Sequence, residues 1–346
     1  MREALLYESL SDGRVRCGVC QRRCVIPADG WGYCRTRVNR EGQLFSATYG
    51  RVACRMISPI EKKPVFHFYP GSRWLSLGSL GCNFRCPGCQ NWEIAHADGA
   101  RPERALDGRM TEYISPERCV ELAQRTGCAG LSWTYNEPTL WFEYTLDGAR
   151  LARDRGLYTN YVTNGTITPE ALDEIGPYLD VFRVDVKGFS AATYRRIAHL
   201  SNFEGILKAA ERAKTKWGMH VEVVTNVIPG INDEERELRD IASWIRRDLG
   251  QGTPWHVTQF VPHLDLSDVP PTPVRTLERA REIGLEAGLQ YVYLGNVPGH
   301  PGEHTYCPHC GILLIERYHM TIIRDELMGN QCPKCGTEVS GRFEGD

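Results

Sequence analysis

The sequence predicts an α/β fold, a partial (β/α)6 barrel with small cysteine-rich metal modules at both ends. Three observations predict it: a length of 346 residues, apolar strand-like segments that alternate with amphipathic ones, and fourteen cysteines that fall mostly into three tight groups. Alternation of this kind indicates parallel strands joined by right-handed crossovers, and such barrels commonly exceed the usual domain size. Six β/α units are too few for a closed eight-stranded barrel.

We expect three parts along the chain. Residues 1–72 form an N-terminal four-cysteine metal-binding module with a connector, residues 73–296 form the partial barrel, and residues 297–346 form a C-terminal zinc ribbon. The connector ends in the turn residues Pro70–Gly71–Ser72. The predicted barrel strands are 74–80, 129–134, 158–163, 181–186, 220–228 and 255–261, with 291–294 as a candidate edge strand. Functional residues are expected at the carboxyl ends of these strands.

Composition and charge narrow the class of protein. The formal net charge is −2 and the sequence pI is near 6.6, so the chain lacks the basic footprint of a nucleic-acid or anionic-membrane binder. It has no apolar run of membrane-spanning length and no secretory leader pattern at its start, so we expect a soluble, cytoplasmic protein. Disulfide frameworks belong to small secreted domains, so metal ligation is the better explanation for the clustered cysteines.

The central cysteines stand directly after the first predicted strand, as Cys82-x3-Cys86-x2-Cys89. Three thiolates at this spacing can hold one face of a [4Fe-4S] cluster and leave one iron open to a small chelating ligand. The alternative is a structural zinc knuckle that borrows a fourth ligand. Zinc sites favour paired Cys-x2-Cys ligands, so the spacing favours the cluster.

With these cysteines in place, the chain resembles the radical S-adenosylmethionine (SAM) superfamily. The likeness is strongest to the radical SAM enzyme of the AmmeMemoRadiSam system, itself similar to pyruvate formate-lyase activating enzymes. The segments that carry it inside the core are GCNFRCPGCQNWEI, TYNEPTLWFEY, YVTNG, DVFRVDVKGF, NVIPGINDEE and GNVPGH. At the two ends it is carried by CGVCQRRCVIPADGWGYCRTR, PIEKKPVFHFYPGS and the terminal CPHC and CPKC pairs.

This resemblance implies an oxidoreductase or activase-like enzyme. Its [4Fe-4S] cluster would cleave SAM reductively, and the 5′-deoxyadenosyl radical would abstract hydrogen from an unidentified substrate. The implied partners are a low-potential electron donor, such as flavodoxin or ferredoxin, and Memo-like and AMMECR-like proteins. A membrane partner is not expected, nor is nucleic acid.

The resemblance also implies which residues contact SAM. Glu137 matches the acid that holds the methionine amino group, and Asp185 with Lys187 matches a pair that contacts SAM in the activases. Asn164 and His263 stand at further expected contact positions. From the residues alone, Glu137 could instead be a strand-end cap, Asp185 and Lys187 a surface ion pair, Asn164 a turn residue and His263 a structural histidine.

Three positions depart from the family pattern. Gly88 stands where an aromatic residue usually helps to seat adenine, so adenine would contact backbone, Phe84 or Trp92 instead. Tyr135–Asn136 replaces the Gly-Gly before the acidic residue, which leaves the local backbone geometry open. Val162 stands where the pyruvate formate-lyase activases carry an aspartate, which counts against a strict activase.

The C-terminal cysteines form two knuckles, Cys307-x2-Cys310 and Cys332-x2-Cys335. Four thiolates from two tight turns are what tetrahedral structural zinc requires. A rubredoxin-like iron site is the alternative, but it lacks a redox rationale here.

A second set of four stands near the amino end, with Cys17, Cys20, Cys24 and Cys34 within eighteen residues. Zinc and an auxiliary [4Fe-4S] cluster both accept four cysteinates, and we favour zinc slightly. The companion arginines are expected on a solvated face; they are Arg22, Arg23, Arg35 and Arg37.

No residue type or spacing identifies a catalytic acid or base for the substrate. His96, Tyr135 and Glu143 could line the cavity, and His256 is a weaker alternative to His263. Cys119 and Cys128 are expected to be packing residues, and Cys54 either that or a spare ligand. Two other functions stay open: activation of a glycyl-radical protein, and a noncatalytic zinc-binding adaptor in which the central cysteines bind zinc.

Overall fold

The computed structural model describes residues 1–96, 108–200 and 202–343. Its strands, in chain order, are β1 Arg2–Glu3, β2 Tyr7–Ser9, β3 Val15–Cys17, β4 Val25–Ile26, β5 Arg37–Arg40, β6 Gln43–Ser46, β7 Arg51–Val52, β8 Cys54–Pro59, β9 Arg73–Gly78, β10 Glu112–Tyr113, β11 Gly130–Trp133, β12 Tyr158–Thr163, β13 Val181–Asp185, β14 His220–Val227, β15 Trp255–Gln259, β16 Val292–Gly295, β17 Thr305–Tyr306, β18 Leu313–Tyr318 and β19 Thr321–Asp325.

The helices alternate with the strands from β9 onward. They are α1 Trp92–Ala95, α2 Pro116–Arg125, α3 Phe142–Asp154, α4 Pro169–Ile175, α5 Ala191–Ala198, α6 Glu204–Thr215, α7 Glu235–Trp244 and α8 Val274–Glu286. Three of them begin at a hydroxyl cap: Ser115, Thr168 and Ser190 each accept a hydrogen bond from a backbone N–H of the first turn. Such caps satisfy amide groups that have no partner inside the helix.

The chain divides into two compact units. The first contains residues 1–58, 73–182 and 204–219, and the second contains residues 59–72, 183–203 and 220–346. The division into module, barrel and ribbon predicted from the sequence stays a prediction. Residues 97–107 and 201 of the predicted barrel and 344–346 of the predicted ribbon lie outside the described residues.

In the first unit, β11 pairs in parallel with β9 on one side and with β12 on the other. All four residues of β11 are buried, and so is Trp74 of β9. Because the three strands run in the same direction, the loops that follow them emerge at one edge of the sheet. Two small antiparallel sheets, β1-β6-β5 and β2-β3-β4, form the N-terminal part of the same unit.

In the second unit, β14 pairs in parallel with β15, and β15 with β16. The candidate edge strand at 291–294 is therefore confirmed as a parallel strand. Strands β17, β18 and β19 form a separate antiparallel sheet near the carboxyl end. The strand β13 begins in the first unit and ends in the second.

The α/β class with a parallel sheet core is thus confirmed, and each predicted barrel strand is found with ends that differ by at most two residues. All fourteen cysteines lie within the described residues, and no disulfide joins any of them. Within 1–96, 108–200 and 202–343, no helix combines the length and apolar character needed to cross a membrane.

Candidate functional site

The loop that carries the central cysteines begins where β9 ends, and the side chain of Asn136 holds it in place. Asn136 Oδ1 accepts a hydrogen bond from Ser79 N at 3.1 Å, and its Nδ2 donates to Gly81 O at 2.9 Å. Gly81 N donates to Ile94 O at 2.8 Å. The start of the loop is therefore bonded to the loop after β11 and to helix α1. Sequence reasoning missed Asn136, although its place in the Gly-Gly element was a signal.

The three cysteine side chains are partly exposed at this edge. Cys89 N donates to Cys86 O at 3.3 Å, and Phe84 N donates to Cys82 Sγ at 3.3 Å. Burial raises the pKa of the Cys82 thiol, and the nearby Cys86, Glu137 and Cys89 raise it further. Thiolates this close repel one another, so a bound metal cation would favour their deprotonated form.

The spread of these sulfurs also argues against a single zinc ion. Tetrahedral zinc with Zn–S bonds of about 2.3 Å needs thiolates roughly 3.8 Å apart. The sulfurs of Cys82, Cys86 and Cys89, which are all among the described residues, do not all lie within 4.8 Å of one another. The residues present therefore fit a multi-iron cluster better than zinc.

Glu137 follows β11 and is 1% exposed. Its Oε1 accepts hydrogen bonds from Thr163 Oγ1 at 2.7 Å and Thr139 N at 3.0 Å, and its Oε2 accepts one from Asn164 N at 2.7 Å. Burial raises the pKa of Glu137, and these hydrogen bonds act in the opposite direction. Oε2 keeps a second acceptor position, because a carboxylate oxygen has two lone pairs.

Asn164 lies beside the cysteine loop. Its Nδ2 donates to Asn83 Oδ1 at 2.8 Å and lies 4.0 Å from Cys82 Sγ, while its Oδ1 accepts from Thr166 N at 3.1 Å. The predicted turn is present, because Gly165 has φ +75. The structure thus brings Cys82, Glu137 and Asn164 together from three neighbouring parallel strands. It adds Asn83, which sequence reasoning passed over as a spacer in the cysteine motif.

Tyr135 occupies the position of the first glycine in the family pattern, and it has φ +75. This left-handed conformation is ordinary for glycine and costs a tyrosine about 1–2 kcal/mol. Tyr135 O accepts a hydrogen bond from Asn91 Nδ2 at 2.7 Å, which holds the strained residue against the end of the cysteine loop. The departure from Gly-Gly therefore keeps a glycine-like backbone.

The candidates for adenine contact differ in exposure. Phe84 is 2% exposed, so its ring packs inside the protein, whereas Trp92 is 43% exposed. Gly88 is partly exposed and offers only backbone.

Asp185 and Lys187 lie in the second unit, at the end of β13. Asp185 Oδ2 accepts from Lys187 Nζ at 3.2 Å, and Arg183 binds its other oxygen. Burial alone would raise the pKa of Asp185, but the charges of Arg183 and Lys187 outweigh it and lower that pKa. The expected pair of acid and lysine exists, and Arg183 was not foreseen in it.

Two histidines, His256 on β15 and His263 shortly after it, also lie in the second unit. His256 is buried and its Nε2 lies 2.6 Å from Glu222 Oε2, which also bonds the backbone N–H of Phe66 at 3.0 Å, so His256 is structural. His263 precedes a single turn at Leu264–Leu266 and is partly exposed.

The C-terminal thiols converge on one point. Cys307 Sγ lies 3.5 Å from Cys335 Sγ, Cys310 Sγ lies 3.7 Å from Cys332 Sγ, and all four sulfurs lie within 4.8 Å of one another. This is the spacing of four ligands around a single metal ion.

The N-terminal thiols behave differently. Cys17, Cys20, Cys24 and Cys34 line one cavity, without the close convergence seen at the C-terminal set.

The predicted solvated face of arginines is wrong for Arg37, which is 1% exposed and lines the same cavity. Its Nη2 lies 2.9 Å from Glu143 Oε2 in a buried ion pair. The predicted place of Glu143 in the cavity lining is wrong for the same reason: its carboxylate is buried against Arg37 and against Leu5 N at 3.1 Å.

Cys119 and Cys128 match the expectation that they are packing residues. Cys119 and Cys128 are buried packing residues, with Cys119 Sγ 2.9 Å from Tyr144 OH and Cys128 Sγ 3.3 Å from Thr126 Oγ1.

Comparisons with known proteins agree with this geometry. A family model described as the Radical SAM superfamily matches residues 77–242. The uncharacterized protein MJ0808 of Methanocaldococcus jannaschii is 43% identical over 341 residues, covering 98% of this chain and 99% of that protein. The putative glycyl-radical enzyme activating enzyme MJ1227 of the same organism is 26% identical over 186 residues, covering 51% of this chain and 70% of that protein.

A solved structure supports the fold alone. Streptococcus suis SuiB bound to S-adenosylmethionine matches with a TM-score of 0.51 at 13% identity, covering 73% of this chain and 58% of SuiB. The family match begins in β9 and includes the whole cysteine loop, so residues 77–242 form a radical SAM domain, and the chain is similar to glycyl-radical activating enzymes.

Proposed function

We propose that Cys82, Cys86 and Cys89 hold a [4Fe-4S] cluster with which the protein cleaves SAM reductively and abstracts hydrogen from a substrate still to be identified. One observation carries the proposal: the three thiols lie at the sheet edge where Glu137 and Asn164 end up beside Cys82. When bound, a reduced cluster of this kind supplies the electron that splits the sulfonium into methionine and a 5′-deoxyadenosyl radical.

The protein's own residues would position SAM. Glu137 lies buried next to Cys82 and keeps an acceptor position on Oε2 for the methionine ammonium group. Trp92 offers an exposed ring for adenine, in place of the missing aromatic residue at Gly88. Asp185, Lys187 and His263 remain predicted contacts, since an acid and a lysine suit a group that carries both ammonium and carboxylate.

The test is anaerobic. The full chain is reconstituted with iron and sulfide, reduced with dithionite and supplied with SAM, and 5′-deoxyadenosine and methionine are measured by mass spectrometry. We expect both products from the wild type and none above background from Cys86→Ala. Cys128→Ala is the matched control, because Cys128 precedes β11 at the amino end of the sheet, away from the cysteine loop.

Two results would contradict the proposal. One is a wild type that binds the cluster but yields neither product. The other is zinc instead of iron and acid-labile sulfide on the central cysteines, which would favour the noncatalytic adaptor.

A second candidate is activation of a glycyl-radical protein, which the similarity to MJ1227 favours. Val162 stands where the pyruvate formate-lyase activases carry an aspartate, and this weighs against activation of a glycyl-radical protein. A deuterated glycyl-radical partner would transfer label to 5′-deoxyadenosine if it is the substrate, and the label would be absent if it is not.

For the C-terminal thiols we propose structural zinc. Support comes from the spacing of the four sulfurs and from Gly311 and Gly336, which have φ +72 and +71 and turn the chain directly after the second cysteine of each knuckle.

The proposed partners are a flavodoxin or ferredoxin as electron donor, and Memo-like and AMMECR-like proteins as members of the AmmeMemoRadiSam system. The proposed location is the cytoplasm, where reducing conditions suit fourteen cysteines without a disulfide.

A further inference from the structure

The four N-terminal cysteines surround a common cavity in the first unit. Cys17, Cys20 and Cys34 are buried and Cys24 is partly buried, and all four line that cavity. Cys17 ends β3, Cys24 precedes β4 and Cys34 precedes β5, so the thiols come from separate stretches of backbone.

The spacing of these sulfurs does not suit one metal ion. All four cysteines are among the described residues, yet no three of their sulfurs lie within 4.8 Å of one another. The C-terminal set of the same chain meets that distance with all four. In a [4Fe-4S] cluster each cysteinate binds a different iron, so the ligand sulfurs stand farther apart than the roughly 3.8 Å needed around zinc.

Polar groups of the chain lie beside each of the four sulfurs. They are the backbone of Val19 at Cys17 and the backbone of Tyr33 at Cys24. The Cys34 sulfur lies 3.2 Å from the hydroxyl of Thr36.

Cys20 lies beside the backbone of Arg22 and the side chain of Asn83. Hydrogen-bond donors near the ligand sulfurs tune iron–sulfur clusters.

The cavity also holds an unsatisfied donor. Arg37 is 1% exposed, and its terminal nitrogens bond Glu143 and Leu140 O, but its Nε has no acceptor among the described residues. A buried N–H without a partner costs about 1–3 kcal/mol, which a sulfur acceptor in the cavity would recover in part. Burial alone would lower the pKa of Arg37, but Glu143 raises it, so the guanidinium stays charged beside the thiols.

The site lies directly against the loop of the central cysteines. Asn83, which lies beside Cys20, is the residue after Cys82, and Arg22 Nε donates to Asn83 O at 2.6 Å. Gly81, the residue before Cys82, approaches Cys34 so closely that a Cβ built on it would lie 2.5 Å from Cys34 O.

From this geometry we propose that Cys17, Cys20, Cys24 and Cys34 bind a second [4Fe-4S] cluster, not the zinc that the sequence slightly favours. The site is complete within its own four cysteines, so the proposal stands independently of SAM cleavage. Because this site lies beside the central loop, electrons from the reductant could pass through the second cluster to the central site.

The decisive measurement is metal content in the full chain after anaerobic reconstitution. The wild type is expected to hold about eight iron ions, about eight sulfide ions and about one zinc ion. The triple variant Cys82→Ala/Cys86→Ala/Cys89→Ala is expected to keep about four iron and about four sulfide ions and to show the EPR signal of a reduced [4Fe-4S] cluster after dithionite. An iron-free triple variant with about two zinc ions would overturn the proposal.

A further substitution assigns the remaining iron. Cys24→Ala in the triple variant should remove it, because Cys24 is the least buried ligand and its loss disturbs the fold least. Cys128→Ala in the same background should leave it in place.

If the triple variant does not fold, the wild type still decides: about four iron ions with about two zinc ions would contradict the second cluster. If instead the central cysteines bind no cluster, the result is different. The wild type and the triple variant would then each hold about four iron ions, and Cys24→Ala would remove them from both.

Discussion

Gly81→Ala tests the contact between the central and N-terminal cysteine loops. Gly81 has φ +81, and a Cβ at this position would lie 2.5 Å from both Cys34 O and Thr36 Cγ2. The carbonyl oxygen belongs to the backbone, so it cannot turn away as a flexible side chain would. Either Cys34 or Cys82 must shift with its loop.

The expected cost has two parts. An alanine in the left-handed region costs about 1–2 kcal/mol, and forcing extra volume into a packed site costs about 1–3 kcal/mol. Gly81→Ala should therefore lower the free energy of unfolding by about 2–5 kcal/mol. Gly13→Ala is the matched control, because Gly13 has φ +77 but nothing within 4 Å of the added Cβ, so only the first part applies.

The assay is urea unfolding of the metal-free variants, followed by tryptophan fluorescence, with iron content measured after reconstitution. We expect a lower midpoint for Gly81→Ala than for Gly13→Ala, and reduced iron only in the former. Equal midpoints together with full iron content in Gly81→Ala would refute the contact between the loops.

Three further predictions concern single side chains. Thr36→Val removes the hydroxyl beside Cys34 Sγ and should make the potential of the N-terminal cluster more negative in an EPR-monitored titration, whereas Thr48→Val, whose hydroxyl has no partner among the described residues, should not. Burial lowers the pKa of His67 from 6.5 to about 3. Between pH 6.5 and 3 the imidazole of His67 therefore binds a proton in the unfolded chain but not in the folded protein. The free energy of unfolding, measured by urea unfolding at each pH, should fall by up to about 5 kcal/mol over this range. The fall should be smaller in His67→Gln, which lacks the imidazole. Cys335→Ala should lose its zinc to a chelator and keep its iron, as measured by metal analysis.

The strands could be predicted because their signal is local. The segment at 158–163 matches β12 at both ends, and the Ser and Thr caps mark where helices such as α2 and α4 begin. The small N-terminal sheets were harder, because strands of two to four residues such as β1 and β4 carry too few positions for an alternating pattern.

Site residues could be predicted from the sequence only where their type and their spacing are characteristic of the site. The cysteines and Glu137 stand out in this way. Arg37 does not: it resembles any surface arginine, and its buried partner Glu143 lies 106 residues away. Asn83 Nδ2 donates to Thr166 Oγ1 at 2.6 Å and Asn83 lies beside Cys20, contacts that exist only once separate loops are folded together.

The same limit explains why spacing alone could not identify the N-terminal metal. Both terminal sets contain Cys-x2-Cys, yet the C-terminal cysteines sit in two tight turns that direct four sulfurs to one point, with Cys310 N 3.5 Å from Cys307 Sγ inside the first turn. Among the N-terminal cysteines, Cys17 ends β3, Cys24 directly precedes β4, Cys34 lies in the turn before β5, and Cys20 forms a bridge with Ile167, so their sulfurs stay apart. Sulfurs spread in this way fit the proposed cluster, because each cysteinate of a [4Fe-4S] cluster binds a different iron, whereas four sulfurs that meet at one point fit a single zinc ion.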